Sequence, residues 1–231
     1  MLEWYRANAS YDAVMADSIV VIAHAAQATG IGQFVFRGRT ADPFAEPELL
    51  TVADAFERFV GIDLLATIRD GDGDRAALAA AANDKVRITD DDTWSDIFSK
   101  VLVEHVEPNL GQGRLTVLFE YPAPEAALAR AKVSDPRVAE RFEVYACGVE
   151  LANGFGELTD AHEQRRRFTL AMDEKARRYG ERYPLDEDFL AAVAAMPEAS
   201  GVALGFDRLV MLASGATRID QVVWTPPAGE A

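Results

Sequence analysis

The chain has 231 residues, 49% of them hydrophobic and 26% charged, with a formal net charge of −15. Its length and composition suit an ordinary folded chain of one large domain or two small ones, and acids spread along its whole length argue against tight nucleic-acid binding by this chain alone. The single cysteine, Cys147, excludes an internal disulfide and matches a reducing, cytoplasmic setting.

The most apolar stretches lie near Ser18–Ala28 and Phe189–Met196. Both are shorter than the roughly 20 residues a membrane span needs. Met1–Arg6 has neither the basic nor the apolar region of a signal peptide. Basic residues cluster only at Arg165–Arg167 and Arg177–Arg178, so an acidic surface remains that would attract a basic protein partner.

Tyr11–Ala28 reads as a helix, with Val14, Met15, Ile19, Ile22 and Ala26 at helical spacing. Gly30-Ile31-Gly32 ends it, and Gln33–Glu46 is a loop or short strand punctuated by Pro43. Thr51 caps a helix over Val52–Val60. Asp70–Asp74, alternating Asp and Gly, is a turn before a helix at Arg75–Ala82; no Glu follows at the distance a calcium loop needs. Thr93–Val106 is a helix with Trp94, Ile97, Phe98 and Val101 on its apolar face. Arg114–Tyr121 is a buried strand. Arg141–Cys147 and Val149–Phe155 are two strands joined tightly at Gly148. Helices follow at Asp160–Arg178, Asp186–Ala195 and Asp207–Ser214, and Val222–Trp224 is a last short strand. Strands and helices do not alternate regularly, which favours an α+β fold with an antiparallel sheet.

Two stretches carry chemistry. On a simple strand Val149, Leu151, Asn153, Phe155 and Glu157 would share one face, and Glu150, Ala152, Gly154 and Gly156 the other. Glu143, Glu150 and Glu157 stand among apolar neighbours, and unpaired carboxylates are costly to bury. They either pair with Arg or Lys on a wet sheet face or meet a cation in a cleft. Further on, Gly201-Val202-Ala203-Leu204-Gly205 leads into a helix opening with Phe206-Asp207-Arg208. Small residues let a backbone approach a ligand, and an Arg at a helix start can meet phosphate. A surface Asp207–Arg208 pair at a tight turn is the plainer alternative.

Taken together and in order, these stretches resemble the catalytic core of lysine-type class II aminoacyl-tRNA synthetases. That family carries Glu…Gly-x-Glu-Leu-Ala-Asn-x-x-x-Glu-Leu on a strand pair, matched by Glu143 through Leu158. It follows with Gly-x-x-x-Gly-x-Asp-Arg-Leu-x-Met, matched by Gly201 through Met211. Met1-Leu2-Glu3-Trp4-Tyr5 resembles the second half of the family's motif 2. The likeness covers most of the chain as a single catalytic domain, 1–231, with a variable insertion at about 31–83. Within the family, Asn153-Gly154-Phe155 and Ala203, where synthetases usually have Gly, look like the elongation factor P (R)-β-lysine ligases. One methyl can shift selectivity by roughly 1–3 kcal/mol.

The resemblance implies activation of lysine or (R)-β-lysine with ATP, then transfer to a lysine side chain of elongation factor P, with lysine–tRNA ligation or a non-catalytic remnant as alternatives. It implies Mg²⁺ on Glu143 and Glu150, and nucleotide contacts at Glu150, Leu151, Gly205 and Arg208, with Glu150 and Arg208 acting in catalysis. Tyr5 and Glu157 would hold the substrate ammonium, with Glu3, Asn153, Phe155 and Ala203 shaping the pocket. Motif 1, the first half of motif 2 and the dimer-forming parts lie upstream of Met1 in intact, homodimeric members. The expectation is therefore a catalytic domain lacking its N-terminal part and weakly active or inactive alone. Elongation factor P is the expected partner, tRNA and membranes are not.

Overall fold

The computed structural model describes residues 1–69 and 71–225. In chain order the elements are β1 (Leu2–Ala7), α1 (Tyr11–Ala28), β2 (Phe34–Phe36), β3 (Arg39–Asp42), β4 (Glu48–Thr51), α2 (Val52–Val60), β5 (Ile68–Arg69), β6 (Asp72–Gly73), α3 (Arg75–Ala82) and α4 (Trp94–Val101). They continue with β7 (Gly113–Arg114), β8 (Thr116–Pro122), β9 (Ala131–Lys132), β10 (Asp135–Ala146), β11 (Val149–Gly156), α5 (Ala161–Tyr179), α6 (Glu187–Ala195), β12 (Ala199–Leu204) and α7 (Phe206–Ser214). The main sheet runs β1-β12-β11-β10-β8-β4, with β9 on β10. Within this sheet only β4 pairs parallel, against β8; β3 and β7 of the small second sheet also pair parallel. The α+β class with a mainly antiparallel sheet is the one expected.

Helix starts follow local chemistry. The Thr51 hydroxyl accepts from the Asp54 N–H at 3.0 Å, and Thr93 and Asp96 form a reciprocal capping box. Asp160 and Asp186 cap α5 and α6. The helix expected over Thr93–Val106 continues past α4 as a π-helical turn at Leu102–Val106.

Two strand expectations need correction, and the turn expected before α3 is borne out at its helix end. Arg114–Tyr121 is not one strand: it divides at Leu115, β7 pairing with β3 and β8 with β10. The turn expected at Asp70–Asp74 includes Asp70, which lies outside the described residues; Asp72–Gly73 pairs with Ile68–Arg69 as a small hairpin, and the Asp74 side chain caps α3. Val222–Trp224 forms no strand. It follows a 3₁₀ turn at Ile219–Gln221, Val222 rests against the α1–α7 core, and Trp224 is exposed. The main sheet ends at β1 and β4, and neither edge takes this segment.

The sheet's two faces are covered differently. On one, α1 and α7 pack over Val117, Phe142, Val144, Ala152, Val202 and Leu204. On the other, α2, α3 and α4 cover only the β4–β8–β10 half, through Leu50, Leu118 and Tyr145. Trp94, Phe98 and Phe56 stack there with ring centroids 5.3 and 5.1 Å apart. The β11–β12–β1 half of that second face keeps polar side chains and becomes the candidate site. The segment 31–83 supplies β4 and much of this second core.

Candidate functional site

Cross-strand register builds the site. Glu3, Ala203, Asn153 and Glu143 form one row across β1, β12, β11 and β10. Tyr5, Gly201, Phe155 and Arg141 form the next. Opposed residues of an antiparallel pair point to the same side, as do residues two apart on one strand. All eight therefore share the polar face.

Simple alternation places Glu150 on the other face, and the structure overturns that expectation. A bulge shifts the β10–β11 register so that Val144 pairs with Ala152 but Tyr145 with Glu150. Leu151 is the extra residue. Its side chain, 1% exposed, joins Ala152 in the core. One unpaired residue restores Glu150 to the face of Glu143 and Asn153. The Leu151 carbonyl accepts the Gly205 N–H at 2.8 Å, tying the bulge to the start of α7. Leu151 thus reaches the site through its backbone only.

At one end of the row, Glu143 is 6% exposed and takes three donors. Arg141 Nη2 and Asn153 Nδ2 donate to its Oε1 at 2.7 and 3.1 Å, and the Tyr145 hydroxyl to its Oε2 at 2.6 Å. Beside it Arg208, in the first turn of α7, donates to the Glu150 carbonyl at 2.8 Å and its carboxylate at 3.1 Å. Burial, then the neighbouring Glu143 charge, raises the Glu150 carboxyl above its usual range. Glu107 is raised by burial and by Glu143 and Glu150. Glu107, Tyr145, Glu150 and Arg208 line a cleft of about 600 Å³, with Phe36, Arg37, Met211 and Ile219 among its other walls.

At the other end, Tyr5 and Glu157 close over Gly201. A Cβ there would lie 2.4 Å from Tyr5 Cε1 and 2.5 Å from Glu157 Oε1. Burial pushes the Glu157 carboxyl up to about 7. The Tyr5 hydroxyl is raised by burial and then by Glu157 and Glu3. Between the two ends, Asn153 Oδ1 and Arg141 Nε are buried without a hydrogen-bond partner. Such atoms are rare and costly, and a polar ligand would satisfy them.

Of the candidate site residues, all but Leu151, whose side chain lies in the core, are on or beside this face. Phe155 leans on a small cluster with Ala126 and Ala129, and Gly205 leaves room for Arg208, whose Cδ would be 3.3 Å from a Cβ. Arg141, Tyr145 and Glu107 were not anticipated. Arg141 and Tyr145 were legible, since each stands two residues from Glu143 on one strand; Glu107, on a 3₁₀ turn, had no such signal.

A sequence profile described as tRNA synthetases class II (D, K and N) matches residues 1–228. The chain belongs to this family. Members similar to it include proteins named elongation factor P–(R)-β-lysine ligase. That of Klebsiella pneumoniae subsp. pneumoniae is 46% identical over 180 residues, 76% of this chain and 54% of the relative. The Proteus mirabilis protein is 45% identical over 181 residues, 78% and 54% of the two chains. That of Salmonella arizonae is 44% identical over 178 residues, 76% and 54%. The chain spans about half the length of these curated relatives. No helix among the described residues is long and apolar enough to cross a membrane.

Proposed function

We propose that this class II synthetase-family chain is the catalytic part of a ligase that activates lysine or (R)-β-lysine with ATP and passes it to a lysine side chain of elongation factor P. The observation that carries the reading is the alignment of an ammonium-type pocket and a mixed-charge cleft along one open sheet face. At about 3.3 Å per strand residue, Glu157 and Asn153 are roughly 13 Å apart along the chain. An extended lysine spans about 7 Å from its terminal ammonium to the amino group beside its carboxylate, and a hydrogen bond of about 2.8 Å at each end, the second donated by that amino group to Asn153 Oδ1, fills the remainder.

In this reading the Glu157 carboxylate and the Tyr5 hydroxyl hold the terminal ammonium by charge-assisted hydrogen bonds. Ala203 and Phe155 shape the walls, Glu3 borders the pocket mouth, and the open Asn153 Oδ1 meets a substrate polar hydrogen. The substrate carboxylate oxygen bonds to the α-phosphorus of ATP, and pyrophosphate leaves with the bonding electron pair. Arg208 neutralises charge on the departing phosphates, and Gly205 with the Leu151 backbone borders the nucleotide. The acceptor amine then attacks the acyl carbon and AMP leaves.

Hard carboxylate oxygens on one face suit Mg²⁺, and crowding among Glu107, Glu143 and Glu150 is the electrostatic setting a cation relieves. Among the described residues no group of three His, Cys, Asp or Glu is placed to hold an ion. A metal here would therefore take most of its ligands from phosphate and water, with Glu150 reaching it and Glu143 behind, oriented by its three donors. The ion would supply charge neutralisation at the phosphates.

Amino-acid-dependent ATP–pyrophosphate exchange, run with lysine and with (R)-β-lysine, tests activation. Acyl transfer assayed on elongation factor P and on tRNA separates the two acceptors. The family's tRNA-ligase members make tRNA the second reading, and the net charge of −15 weighs against it. Binding of neither ATP nor amino acid would leave the non-catalytic alternative.

A further inference from the structure

The cleft beside Glu150 holds a cation that the motif residues leave unexplained. Its lining includes Arg37, Arg208 and Arg218 together with Glu107, Glu150 and Asp220. Arg208 pairs with Glu150, and Arg218 with Asp220. Arg37 forms no ion pair among the described residues; its guanidinium lies 5.1 Å from the Phe36 ring centroid, which leaves its donors free. Its position is imposed by the backbone. Phe36 pairs with Arg39 across a two-residue turn, in which Arg37 has φ +49° and Gly38 φ +79°. This is the left-handed pair of a type I′ hairpin. A non-glycine residue in that conformation is unusual unless its side chain is Asn or Asp.

Along β11 the Gly148 end, where Arg37 stands, is the end away from Tyr5 and Glu157. In the proposed reaction the α-phosphate must lie near the substrate carboxylate, at Asn153 and Glu150. What reaches Arg37 is therefore a part of the nucleotide remote from the reacting carboxylate. An unanswered guanidinium favours an anion over a neutral base. We propose that Arg37, on the β2–β3 hairpin, is a binding residue for the terminal phosphates of the nucleotide and for the departing pyrophosphate. The proposal rests on the ATP reading of the cleft.

The test uses the full chain with Mg-ATP, AMP and inorganic pyrophosphate in binding titrations. Arg37→Asn removes the cation while supplying Asn-Gly, the favoured type I′ pair, so the hairpin is preserved. ATP and pyrophosphate affinity should fall about five- to tenfold and AMP affinity change less than about twofold, the scale of one exposed charge-assisted contact. Arg37→Lys should regain part of the loss, and neither variant should lower the thermal midpoint. Unchanged ATP and pyrophosphate affinity in Arg37→Asn overturns this assignment alone. An equal loss for AMP overturns it too, placing Arg37 on the nucleoside. A wild-type chain that binds none of the three overturns the ATP reading and this inference with it.

Discussion

Gly201→Ala is the sharpest probe of the amine pocket. Gly201 has no left-handed φ, so alanine is allowed by the backbone, and the obstacle is space. The new methyl would stand 2.4 and 2.5 Å from Tyr5 Cε1 and Cδ1 and 2.5 Å from Glu157 Oε1. Both neighbours are side chains, and Tyr5 is 60% exposed, so its ring can swing toward solvent. Overpacking in a closed core costs about 1–3 kcal/mol, and an open site relaxes toward the lower end, near 1 kcal/mol. Moving Tyr5 and Glu157 apart also removes about one hydrogen bond to a charged amine, about 1.5–3 kcal/mol, which is roughly ten- to a hundredfold in lysine affinity. Thermal unfolding and lysine titration measured on the same preparation give both quantities. Lysine affinity unchanged in Gly201→Ala, with the fold intact, would refute the pocket. So would an affinity loss matched by loss of the folded state, because the damage would then be general.

Two further outcomes follow from the same geometry. Glu157 has a folded carboxyl raised from 4.5 to about 7 by burial; the folded chain binds this proton more tightly than the unfolded one, so its contribution to stability falls as pH rises from about 4.5 to 7. Glu157→Gln should flatten that part of the thermal midpoint–pH curve, and wild-type lysine affinity should rise with pH across 7 as the carboxylate forms; parallel curves for variant and wild type would disprove the assignment. Leu151→Ala, at the bulge, should cost about 2–4 kcal/mol in chemical denaturation, because a 1% exposed leucine leaves a cavity in the α1–α7 core; a cost within about 0.5 kcal/mol, the usual range for surface changes, would mean that the bulge is loosely packed.

The sequence alone determined most local structure and the identity of the acids and the arginine that line the site. Periodicity placed α1 and α4, the Thr51 cap marked where α2 begins, and Gly148 marked the turn between β10 and β11. These are short-range signals, set by side-chain sterics and by hydrogen bonds within a few residues. Ordered motifs were enough to point to the family, because residues spaced along one strand and one helix start carry that pattern by themselves. Tertiary structure alone decided which side of the sheet Glu150 faces. Alternation has a period of two, and one bulged residue inverts it for everything beyond. It also brought Glu107 and Arg37, from a 3₁₀ turn and a hairpin tip far away in the chain, to the same cleft. Their roles depend on which charges lie nearby after folding, and sequence separation does not encode that distance.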